Sequence, residues 1–112
     1  MKLDLPLFKN KKLAVLFRVE PGCLGPDGIN LVEKFCVFAA SQTDFVDTDY
    51  THMDIVPRFD KALPEIEYSV ANKKLTHDKA EKYLAIFKQD LDDFEMSLFE
   101  GITVVIIKFF DR

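Results

Sequence analysis

Apolar residues recur at Ala80, Tyr83, Leu84, Phe87, Leu91, Phe94 and Leu98. Spacings of three and four return a side chain to the same face of an α-helix, so this stretch predicts one long amphipathic helix. Lys79, Lys82, Gln89, Asp92 and Glu95 fall largely off the stripe. Thr76 is the expected N-cap, and Asp78 sits in the first turn, where a carboxylate meets the positive end of the helix dipole. Gly101 is expected to end the helix, because glycine takes the left-handed conformation at no steric cost. A helix with one apolar face has to bury it, so the rest of the chain must supply a sheet or a second helix.

The remaining segments supply both. Residues 12–20, "KLAVLFRVE", alternate: Leu13, Val15, Phe17 and Val19 share one face of a strand, with Ala14, Leu16, Arg18 and Glu20 on the other. From Asp27 to Gln42 the period turns helical, with Leu31, Val32, Phe35, Phe38 and Ala39 on one face and Asp27 as the expected N-cap. Residues 50–58, "YTHMDIVPR", alternate again and meet Pro57, which lacks an N–H and so closes a strand or lies at a sheet edge. Residues 65–71 form a third alternating run, expected to pair with the second as a hairpin, and Asn72-Lys73 suits the turn that follows. The β-branched and aromatic run "ITVVIIKFF" (102–110) reads as the last strand.

The predicted order is β-α-β-β-α-β, that of the ferredoxin-like sandwich. The expected α+β fold is a four-stranded antiparallel sheet of order 4-1-3-2 with two helices on one face. The 112 residues read as a single domain, with residues 1–11 an N-terminal extension. This topology hosts many unrelated functions and fixes none.

Charge and composition exclude several classes. The net charge is −4, only three residues are arginine, and no basic block exceeds Lys11-Lys12. Nucleic-acid binding rests on phosphate neutralisation by Lys and Arg, so no nucleic-acid partner is expected. No apolar run reaches the length of a membrane span, and a cytoplasmic, soluble protein is the expectation. Cys23 and Cys36 follow neither a disulfide nor a zinc spacing.

The stretch "PGCLGPDG" holds three of the four glycines but no lysine and no hydroxyl residue, so it does not match a Walker A loop. Pro26 removes a donor and Asp27 repels anions; the glycines are expected to permit a sharp strand-to-helix turn. Cys23 has no base beside it in sequence. Asp47, Asp49, His52 and Asp54 lack the spacing of a calcium loop. Neither a metal nor a cofactor is expected, and no catalytic residue is assigned.

The outward face of the predicted sheet is where function is expected. Leu16, Val104 and Ile106 would form an apolar patch there, suited to a homodimer or another protein partner; Phe8, Phe45, Phe59 and Leu63 could instead cover it. Arg18, His52, Asp54, Arg58 and Glu67 form the polar half, the candidate ligand-binding set. The reading is a non-enzymatic interaction or homodimerisation module, the alternative a small enzyme or ligand-binding domain with a pocket on that face. Arg18 and Arg58 would clamp a ligand's carboxylate groups, or else pair with Glu65 and Glu67 across strands.

Overall fold

A computed structural model describes Phe8, residues 11–42 and residues 47–111. Strand β1 (Leu13–Val19) runs into a 3-10 turn (Pro21–Leu24) and helix α1 (Gly28–Ala40). Strands β2 (Thr51–Pro57), β3 (Ile66–Val70) and β4 (Lys73–Leu75) follow, then helices α2 (His77–Ile86) and α3 (Leu91–Phe110). The class is α+β with a mixed four-stranded sheet of order β2-β1-β3-β4.

The ferredoxin-like expectation therefore gives way in three places. First, β1 and β2 are neighbours and parallel, with Leu13 beside Thr51 and Val19 beside Pro57. A parallel pair needs a long crossover, and α1 supplies it. Second, β2 and β3 do not form a hairpin; β1 lies between them, with Val15 opposite Tyr68 in the antiparallel β1–β3 pair. The loop between β2 and β3 crosses the end of β1, where Arg58 N–H donates to Val19 O and Arg18 N–H to Glu65 O. Pro57 accordingly lies in an edge strand, where its missing donor is harmless.

Third, residues 102–110 are helical, and the fourth strand is Lys73–Leu75. Its hairpin with β3 turns at Ala71 and Asn72, both at positive φ (52° and 66°), as a tight two-residue turn requires. The long stripe breaks into two helices. Lys88 takes φ 60°, and the Asp90 carboxylate accepts from Asp93 N–H at 3.1 Å to cap α3. Thr76 caps α2 as expected, accepting from Lys79 N–H at 3.2 Å. Asp27 does precede α1, but its carboxylate accepts from the Asn30 side chain at 2.7 Å rather than from the backbone. Gly101 lies inside α3, so it does not end the helix.

All three helices pack on one sheet face. Leu13, Val15, Phe17 and Val19 from β1 meet Val32, Phe35 and Ala39 of α1, Ala80 and Leu84 of α2, and Leu98, Ile102, Val105 and Phe109 of α3. Aromatic edges tie β1 to α3, Phe17 against Phe99 at 5.5 Å, and α1 to α3, Phe35 against Phe109 at 5.4 Å between ring centroids. Tyr68 joins β3 to α3 by donating its hydroxyl to Glu95 Oε2 at 2.6 Å. Phe87, expected in the core, instead ends α2 half-buried and stacks flat on Tyr50.

Candidate functional site

On the sheet face away from the helices, register decides which side chains meet. Leu16 stands between Asp54 on β2 and Glu67 on β3, and Ala14 between His52 and Ser69. Arg18 is almost fully buried and spans diagonally to Glu67, its Nη1 donating to Oε1 at 2.8 Å and to Pro64 O at 2.6 Å. Lys74 Nζ approaches the second Glu67 oxygen at 3.7 Å. Arg58 pairs with neither of the expected glutamates, Glu65 or Glu67. It pairs with Glu20 and donates from Nε and Nη2 to Leu63 O at 3.1 and 3.0 Å, with Lys61 O at 3.3 Å. Both arginines thus hold the β2–β3 loop against the end of β1, Arg18 through Nη1 and Arg58 through all three guanidinium nitrogens. A ligand's carboxylate would have to displace these partners to reach those nitrogens.

His52 and Asp54 lie on β2 with Nε2 3.4 Å from Oδ1, and His52 Nδ1 is 3.8 Å from Asp47 Oδ1. Asp47 also receives Lys12 Nζ at 2.6 Å, and this hydrogen bond holds its carboxyl below the usual range. A recess of about 360 Å³ opens beside them, lined by Lys12, Ala14, His52, Asp54, Ser69, Ala71 and Asn72. Among the described residues, no three His, Cys, Asp or Glu side chains converge to hold a metal. The candidate ligand set therefore divides: Arg18 with Glu67, His52 with Asp54, and Arg58 apart on the loop.

Both cysteines are free thiols. Partial burial raises the Cys23 thiol, though the residue as a whole is exposed, and the Glu20 and Glu65 carboxylates add to this. Burial pushes Cys36 up to about 11, with Glu33 adding to it. Neither environment favours a thiolate nucleophile. The "PGCLGPDG" stretch forms the 3-10 turn and the entry to α1. Gly28 is required there, because a Cβ would lie 1.7 Å from Pro21 O.

The expected interface trio is not brought together. Leu16 is half-buried on the open sheet face, whereas Val104 and Ile106 belong to α3 on the other side of the sheet. Of the expected covers, Phe8, Phe59 and Leu63 are exposed, and Phe45 lies outside the described residues.

Five of the large exposed apolar side chains gather elsewhere. Along the outer face of α3 stand Met96, Phe99, Val104, Ile107 and Phe110, between 42% and 62% exposed. Beside them a groove of about 390 Å³ runs between α3 and the end of β1; Phe17, Val19, Phe99, Ile102, Ile106 and Ile107 are among its walls, with Glu20, Cys23 and Glu65 at its edge. Sequence reasoning missed this surface because it treated residues 102–110 as a strand. The available signal was that the spacing of Leu98, Ile102, Val105 and Phe109 continues the helical stripe across Gly101.

Comparison with known proteins finds no matching family, no similar curated protein and no similar solved structure. Among the described residues, no helix is long and apolar enough to cross a membrane.

Proposed function

We propose that this chain is a non-enzymatic protein-interaction module whose working surface is the outer face of α3. One observation carries the reading: a helix already packed into its own core exposes five further large apolar side chains on a second face. Monomeric proteins seldom leave such a patch uncovered, and when they do it marks a contact site. The groove alongside gives the patch relief, which a partner's side chains need for close packing. The open sheet face is less suited. Its one row running Asp54–Leu16–Glu67 sets a single aliphatic between two carboxylates.

Site-directed photo-crosslinking in cells tests the proposal. A photoreactive phenylalanine at position 107 is expected to give covalent adducts of defined mass, and the same group at position 16 none. Adducts from position 16 alone would return the working surface to the sheet face.

A further inference from the structure

Helix α3 carries two apolar seams. The inner seam, Leu98, Ile102, Val105 and Phe109, is buried in the protein's own core. The outer seam, Met96, Phe99, Thr103, Ile107 and Phe110, is exposed and spaced 3-4-4-3 over fifteen residues. Such a run is what one helix presents to another across a two-helix interface, with small or branched residues where the axes approach. Thr103 stands at its centre, exposed, with its hydroxyl turned back onto Phe99 O at 2.9 Å, so the seam's midpoint is narrow and locally satisfied.

We infer that the occupant of this face is a second copy of the same chain, its α3 crossing the first antiparallel about a two-fold axis at Thr103. This rests on the reading of α3 as the working surface. Self-complementarity follows from the seam: about Thr103, Met96 of one copy meets Phe110 of the other, and Phe99 meets Ile107. A two-fold contact needs that reciprocity. The helix dipoles select the direction. Asp92 and Asp93 occupy the first turn of α3, Lys108 and the cap residue Asp111 the last. Antiparallel packing opposes the two dipoles favourably and keeps the acidic first turns of the two copies at opposite ends of the contact. Parallel helices would stack Asp92, Asp93 and Glu100 on their own copies.

The area suffices. Each half-exposed side chain of this size leaves roughly 100 Å² for burial, so the five leave about 500 Å² of apolar surface per copy. With a polar rim on both copies this reaches the roughly 1,200 Å² at which specific interfaces become stable. The groove between α3 and β1 then receives partner side chains as apolar as its own walls.

Sedimentation equilibrium and disulfide trapping decide the matter. The wild type is expected to sediment as a dimer at micromolar concentration. Ile107→Glu is expected to raise the dimer dissociation constant at least a hundredfold while the circular dichroism stays unchanged, and Leu16→Glu to leave it within threefold. In a Cys23→Ser background, Thr103→Cys is expected to form an intermolecular disulfide under mild oxidation, since the axis places the two copies of residue 103 together. Met96→Cys is expected not to, because its counterpart is Phe110. Efficient self-trapping at 96 but not at 103 would overturn the antiparallel arrangement. A wild-type monomer at 100 micromolar overturns the second copy as occupant; photo-adducts at 107 of another mass would then leave the interaction reading standing. Loss of the dimer by Leu16→Glu but not Ile107→Glu would overturn both.

Discussion

The three glycines between β1 and α1 make a test with its own internal controls. At Gly28, the first residue of α1, an added Cβ would lie 1.7 Å from the Pro21 carbonyl oxygen and 2.6 Å from its carbon. To open that gap even to 3.0 Å the carbonyl must retreat by about 1.3 Å (3.0 − 1.7), and it belongs to the turn that seats the buried Leu24 in the core. Overpacking of this kind costs typically 1–3 kcal/mol, and a clash with backbone belongs at the upper end, about 3 kcal/mol for Gly28→Ala. Helix propensity alone would give the opposite sign, a gain of about 1 kcal/mol. Gly25 sits at φ 93° and ψ −170°, a region that side chains rarely enter, so Gly25→Ala is expected to cost about 1–3 kcal/mol through strain without a clash. Gly22 has open space around it and ordinary φ, so Gly22→Ala is expected to be neutral or to stabilise by up to about 1 kcal/mol by restricting the unfolded chain. Urea melts of the three variants give the order. Gly28→Ala within about 0.5 kcal/mol of wild type would refute the close approach of Pro21 to α1.

Phe35, fully buried and edge-on to Phe109, is expected to cost about 3–5 kcal/mol when replaced by alanine, whereas Phe87→Ala, at the half-exposed end of α2, costs clearly less in the same melts. Asp90→Ala removes the cap of α3 and is expected to lower stability by about 1 kcal/mol, with Asp90→Asn restoring most of it. Burial, then the Glu95 hydrogen bond and charge, raise the Tyr68 hydroxyl above its ordinary value near 10. Above that pH the unfolded chain releases a proton that the folded protein keeps, so stability falls as pH rises, by about 1.4 kcal/mol per pH unit from this group. Tyr68→Phe is therefore expected to be destabilised at pH 7 by loss of the hydrogen bond, yet to lose stability less steeply between pH 10 and 11 in thermal melts.

Much of the sheet was legible because one face of it is buried. Leu13, Val15 and Phe17 alternate with Ala14, Leu16 and Arg18, and a strand with one dry face cannot slip register without exposing the whole apolar set. Strand order was not legible. Pairing depends on where loops cross, and the β2–β3 loop is held over β1 by Arg18 and Arg58 through backbone carbonyls that leave no trace in the sequence pattern. The choice those arginines face, between a ligand and structural partners, was visible; Glu67 was among the foreseen partners, but Glu20 was not. The end of the chain was misread for a physical reason. In 102–110 nearly every position is apolar, so period two and period 3.6 lose their contrast, and β-branched Ile and Val weight local propensity toward a strand. Packing decides otherwise, since Ile102, Val105 and Phe109 extend the face begun by Leu91 and Leu98. Gly101 misled in the same direction; inside a helix it costs about 1 kcal/mol against alanine, which burial of its neighbours offsets. The apolar character on every side, which reads as a strand with an apolar outward face, is the mark of a helix with two seams.

The most direct measurement of this account is the set of Cα secondary chemical shifts across residues 91–110 in the full chain. Continuous positive shifts of about 2 ppm or more from Leu91 through Phe109, unbroken at Gly101, are expected of a helix whose outer face carries Phe99, Thr103, Ile107 and Phe110 together. Negative, strand-like shifts over 102–110 would contradict it, returning Val104 and Ile106 to a sheet beside Leu16 and removing the α3 surface altogether.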